Sequence, residues 1–60
     1  MDMLTNFNKV MEYIETHLEE EIDFNMVSTI AGVSEYHFRK MFSYLSGMTL
    51  SSYIRKRRLS

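Results

Sequence analysis

Reaction chemistry needs a nucleophile with a base, or a set of metal ligands at a fixed spacing. This 60-residue chain shows neither. It has no cysteine, which removes disulfides and thiolate metal sites together. The two histidines, His17 and His37, have no ligand-type spacing around them, and there is no HExxH or phosphate-cradling glycine loop. Ser28 has no motif that would set a histidine or carboxylate to activate it. The chain therefore reads as a non-enzyme without metal or cofactor. The chemistry that remains is recognition. Tyr36, Lys40 and Ser43 share one side of a helical segment, with Arg39 on one flank and His37 and Tyr44 on the other. An arginine can fork onto guanine, a lysine can neutralise phosphate, and a tyrosine can meet a thymine methyl or a phosphate. Ser34, just before that segment, brings a hydroxyl and the first-turn N–H groups to a phosphate oxygen. Ser34, Tyr36, His37, Arg39, Lys40, Ser43 and Tyr44 are thus the candidate contacts to the major groove of duplex DNA. The plain alternative is a surface helix that is polar because water surrounds it.

The elements that must position this face are legible from periodicity. Phe24, Val27, Ser28 and Ala31 fall on one side of a short helix, and Asp23 precedes it as a cap. Gly32-Val33-Ser34 follows: a glycine for the turn, an apolar plug, and an N-cap for the next helix. Phe38, Met41, Phe42 and Leu45 then repeat as one apolar stripe, and Gly47 suits a left-handed helix end. Helix, glycine turn, helix is the one-dimensional form of a helix-turn-helix. Upstream, Phe7, Val10, Met11, Ile14 and Leu18, extended by Met3, predict a first helix over about 5–20. The acidic triple Glu19-Glu20-Glu21 opposes the macrodipole, so the end of that helix should fray. The other spans are about 24–31, 35–46, and a fourth helix from about 50, capped by Thr49 and apolar at Leu50, Tyr53 and Ile54. Small Ser28 fits where two helices approach closely, and Met26 and Thr29 should face outward. The fold class is all-α, one domain over 1–60.

Zero prolines and two glycines agree with short helical connections, and 45% hydrophobic residues argue against a disordered tail. No apolar run reaches membrane-spanning length, and a staple-free fold fits a cytoplasmic location. The net charge of −1 conceals a sorting. Residues 1–30 hold seven acids against Lys9, and residues 31–60 hold six cations against Glu35. A chain polarised in this way usually turns its positive half to a polyanion, although a pI near 6.0 is below that of strongly basic nucleic-acid binders. Two other classes fit the same residues. Tyr36, Tyr44 and Met26 could anchor a protein partner, and the run Arg55-Lys56-Arg57-Arg58 with its apolar neighbours could lie on an anionic membrane.

FNKVMEYIETHLEE, then IDFNMVSTIAGVSEYHFRKMFSYLSGMTLSSYIRKRR, resembles the first half of the DNA-binding domain of the AraC/XylS family of bacterial transcription regulators. The most specific parts are GVSEYHFRKMF, Gly47, and Tyr53-Ile54 with Arg58. Ser28 departs from the family, where alanine is commoner at that position. The resemblance implies a homeodomain-like three-helix core followed by the start of a linker helix at residues 49–60, with Tyr36, Arg39, Lys40 and Ser43 facing bases and phosphates. It also implies two partners outside this chain, a second helix-turn-helix unit and an effector domain, and work on the bacterial nucleoid. An open strip of Leu50, Ile54 and Leu59 on that helix would invite self-association.

Overall fold

The computed structural model describes residues 3–59. Four helices follow one another: α1 (Met3–Thr16), α2 (Phe24–Ala31), α3 (Glu35–Ser46) and α4 (Leu50–Leu59), with no strand among the described residues. Their apolar faces meet in one core of Val10, Ile14, Ile22, Val27, Ala31, Phe38, Phe42, Leu50 and Ile54. Phe7 of α1 lies over both α3 rings, 5.4 Å from Phe38 and 6.2 Å from Phe42 between centroids, and Tyr53 of α4 meets Phe42 edge-on at 5.3 Å. Such pairs favour defined geometry beyond the area they bury.

The helix-turn-helix is fixed by caps. Asp23 accepts from the Asn25 N–H at 2.9 Å at the start of α2, and Gly32 ends the helix at φ 74° with its N–H on the Ser28 carbonyl. Ser34 then accepts from the His37 N–H at 3.1 Å to open α3, and Gly47 closes it at φ 77°. Both left-handed residues are glycines, which reach that conformation without a Cβ clash. Asn6 of α1 reaches across to the Ala31 carbonyl at 3.4 Å, tying the first helix to the turn. Thr49 accepts from the Ser52 N–H at 3.1 Å and starts α4. Half-buried Ser28 sits beside Val27 on the inner side of α2, while Met26 and Thr29 face out.

Three expectations are corrected. The first helix ends at Thr16, not near Glu20, and residues 17–20 turn instead. Thr16 Oγ1 and the His17 ring both bond carbonyls of the last turn, and Arg58 of α4 donates to the Leu18 and Glu20 carbonyls at 2.9 Å each. Carbonyls of the last turn of α1 and of the turn that follows it are thus taken by side chains. Leu45 is 61% exposed although its angle on the wheel lies within about 20° of that of Phe38. It stands seven residues beyond Phe38, about 10 Å along the axis, past the material that covers the two rings. Met3, at the other extreme of the α1 stripe, is exposed for the same reason of height. Finally, α4 carries no open strip of three: Leu50 and Ile54 are in the core, and Leu59 alone, at 80%, is exposed. The extension of this helix to Ser60 lies outside the described residues.

Candidate functional site

The face of α3 turned away from the core is built by the same periodicity that buries Phe38 and Phe42. Residues two before and two after Phe38 fall about 160° from it on the helix, and these are Tyr36 and Lys40. Tyr36 is 70% exposed, and the Lys40 ammonium lies 5.6 Å from the centre of its ring. That distance holds a cation near the ring face. His37 and Tyr44 flank them on one side, Tyr44 at 88% exposure, and Met41 is half-buried beneath. Ser34, Tyr36, His37, Lys40, Met41 and Tyr44 line a single shallow, open hollow on this face. Five of the seven residues named from the sequence are therefore together. Met41 joins them unannounced, because its place in the apolar stripe hides its outer edge.

Ser43 and Arg39 are placed differently. Ser43 is half-buried and lies outside the hollow. Arg39 is turned to the opposite flank, with its side chain 32% exposed. Its Nε donates to Glu35 Oε2 at 2.9 Å, its Nη1 donates to Ser51 Oγ at 3.1 Å, and its guanidinium carbon lies 4.4 Å from the Phe24 ring centre. The i,i+4 pairing with Glu35 was readable from spacing; Ser51 and Phe24 belong to other helices and were not.

The basic run on α4 is also divided. Arg57 donates from Nε and Nη2 to Glu15 of α1, and Tyr53 donates its hydroxyl to the same carboxylate at 2.7 Å. The Arg57 guanidinium, and then the Tyr53 hydroxyl, hold the Glu15 pKa below its ordinary 4.5. Burial, and then the Glu15 carboxylate, raises Tyr53 above 10.0. Arg58 is engaged by the carbonyls of Leu18 and Glu20 in the turn after α1. Arg39, Arg57 and Arg58 are thus engaged by groups of this chain, the last two at its exposed surface, and the sorted charge is partly closed on itself through the acidic first helix. Lys40 is the cation of the α3 face, and Arg55 is exposed on α4. Among the described residues no helix is long and apolar enough to cross a membrane, and no cluster of three or more His, Cys, Asp or Glu could hold a metal ion.

No family model and no solved structure matches the chain. Curated proteins do. The chain is 38% identical over 52 residues, 87% of its length, to the HTH-type transcriptional regulator YbfP of Bacillus subtilis. It is 33% identical over all 60 residues to the right origin-binding protein of Escherichia coli. Over 50 residues, 83% of its length, it is 32% identical to the regulatory protein SoxS of Salmonella typhimurium. It spans 18%, 21% and 47% of those three proteins respectively. The chain is thus homologous, over most of its length, to part of AraC/XylS-type transcriptional regulators.

Proposed function

We propose that this chain is the first helix-turn-helix unit of a bacterial transcription regulator, and that α3 enters the major groove of duplex DNA. The observation that carries this reading is the α3 face itself. Ser34, Tyr36, His37, Lys40 and Tyr44 converge on one exposed hollow that the core does not require. The helix is the right width for the groove, and its N-terminal half holds Tyr36, His37 and Lys40. In this reading Tyr36 meets a thymine methyl or a phosphate, His37 and Tyr44 meet the groove edge, and Ser43 lies at the margin. Lys40 supplies charge to phosphates, and Ser34 donates its O–H to a phosphate oxygen while its lone pair keeps the His37 cap. A relative named for binding an origin supports duplex DNA as the ligand. The relatives' greater length leaves room for a second helix-turn-helix unit and an effector domain, and the whole protein would work on the nucleoid in the cytoplasm.

Six α3-side contacts make a small footprint, at the lower end of roughly 600–1,000 Å² for single DNA-binding modules. Two tethered units gain affinity through effective concentration rather than new contacts. The 60 residues alone should therefore bind with a dissociation constant in the micromolar range or weaker. The test is fluorescence anisotropy with a duplex selected from a random pool and a scrambled duplex, at several salt concentrations. Steep weakening with salt and a preference for the selected duplex are expected. Salt-indifferent association with another protein, and none with DNA, would replace this reading by that of a protein-interaction module.

A further inference from the structure

Among the exposed or partly exposed cations of this domain, one is placed against the demands of groove reading. A bidentate contact to guanine needs two guanidinium N–H groups that point outward in parallel. Arg39 stands about 100° round α3 from Phe38, toward α2 and α4, and its side chain is two-thirds covered. It spends one donor on Glu35 of its own helix and one on Ser51 of α4, and it rests on the Phe24 ring of α2. Each contact reaches a different helix, so the guanidinium sits at the only place where α2, α3 and α4 are joined through one side chain among the contacts described above. Withdrawing it toward DNA would break all three. It would also leave the Glu35 carboxylate, in the first turn of the groove-facing helix, unpaired beside phosphates.

Resting on the DNA-binding reading above, we propose that Arg39 is a positioning residue that sets the tilt of α3 against α2 and α4 and reads no base. Recognition is then left to Tyr36, His37, Lys40 and Tyr44. The chemistry of the strut is a planar cation held on one edge by a carboxylate, on another by a hydroxyl, and on its face by an aromatic ring. Lysine cannot reproduce that set of three. A change of tilt displaces every contact on α3 at once, so its effect is spread over the site rather than confined to one base pair.

The experiment uses the intact chain, a fluorescein-labelled duplex selected from a random pool by the parent, and single-base-pair variants of that duplex. It compares Arg39→Ala, Arg39→Glu, Glu35→Arg and the double reversal, at a temperature where circular dichroism shows each to be folded. On the proposal both single reversals lower affinity for the selected duplex by about tenfold or more. The loss should be spread over all recognised base pairs, and the slope of log K against log salt for Arg39→Ala should stay at the parent's value. Glu35→Arg is the informative member, since it adds positive charge near DNA and should still weaken binding. The double reversal restores the ion pair but not the cation on the Phe24 ring, so it should recover part of the affinity and bind more tightly than either single reversal. If the double reversal stays as defective as Arg39→Glu, or Arg39→Ala erases preference at one base pair alone, the proposal is overturned and Arg39 is a base reader. A parent that binds no duplex overturns the DNA-binding reading and the positioning role with it. In that case the thermal coupling between the two reversals would still measure the strut.

Discussion

Replacing Phe38 by alanine removes a ring that is fully enclosed at the centre of the core, 5.4 Å from the ring of Phe7. Phe-to-Ala changes at such sites cost about 3–5 kcal/mol, from lost burial and from the cavity left behind. A single core in a 60-residue chain rarely supplies more than about 3–5 kcal/mol in total. Phe38→Ala should therefore be largely unfolded at room temperature. Because an unfolded variant gives no graded number, two companions calibrate the argument. Ile14 is also fully buried, and Ile14→Val should cost about 0.5–1.5 kcal/mol. Unfolding entropy near 2.1 cal/mol/K per residue gives about 0.13 kcal/mol/K for this chain, so each kcal/mol moves Tm by about 8 °C. Ile14→Val should thus melt roughly 4–12 °C below the parent. Leu45 shares the wheel position of the phenylalanines but is exposed, and Leu45→Ala should change stability by no more than about 0.5 kcal/mol. Thermal and urea melts followed by circular dichroism read all three. A Leu45→Ala melt displaced as far as that of Ile14→Val would mean that α3 is covered to its last turn, and the packing described here would be wrong.

Further expectations test the site and its supports. Lys40→Ala should weaken selected and scrambled duplexes by similar factors and reduce the salt slope by about one; a loss confined to one base pair would make Lys40 a base reader. The lowered pKa of Glu15 means that its ionised form is favoured by folding, so its contribution is present above 4.5 and is lost as pH falls through the folded value. Urea midpoints should therefore drop between about pH 5 and pH 3, with a shallower drop in Glu15→Gln; equal drops would leave the Glu15–Tyr53–Arg57 cluster without effect. Tyr53 is shifted upward, which favours its neutral form in the folded protein, so its contribution is lost as pH rises past 10.0 through the folded value. Gly47→Ala meets no atom within 4 Å and Gly32→Ala meets only Asn6 at 3.6 Å, so backbone strain at positive φ should dominate in both. Each should lose about 1 kcal/mol in a urea melt, and a gain in either would place that residue outside the left-handed region.

What the sequence determined by itself was local. The caps at Asp23, Ser34 and Thr49, the left-handed glycines 32 and 47, and the inward faces of α2 and α3 each follow from residues within one or two turns of each other. Their physical cause, a side chain meeting the nearest backbone group or a 3.6-residue repeat, is itself short in range. The polar α3 face was legible for the same reason, since it is the complement of Phe38 and Phe42 on one helix. Quantities that depend on distance between elements were not. Whether Leu45 is covered depends on how far neighbouring helices reach along α3, and no wheel contains that length. The first helix stops at Thr16, and the turn beyond it is held by Arg58, some 40 residues away, whose donors take the Leu18 and Glu20 carbonyls. Counting charges placed Arg39, Arg57 and Arg58 with the partner-facing cations. The fold turns them onto Glu35, Ser51, Glu15 and backbone carbonyls. A formal charge is a property of the chain, but the direction in which it points is settled only when helices distant in sequence pack and bring their acceptors within reach.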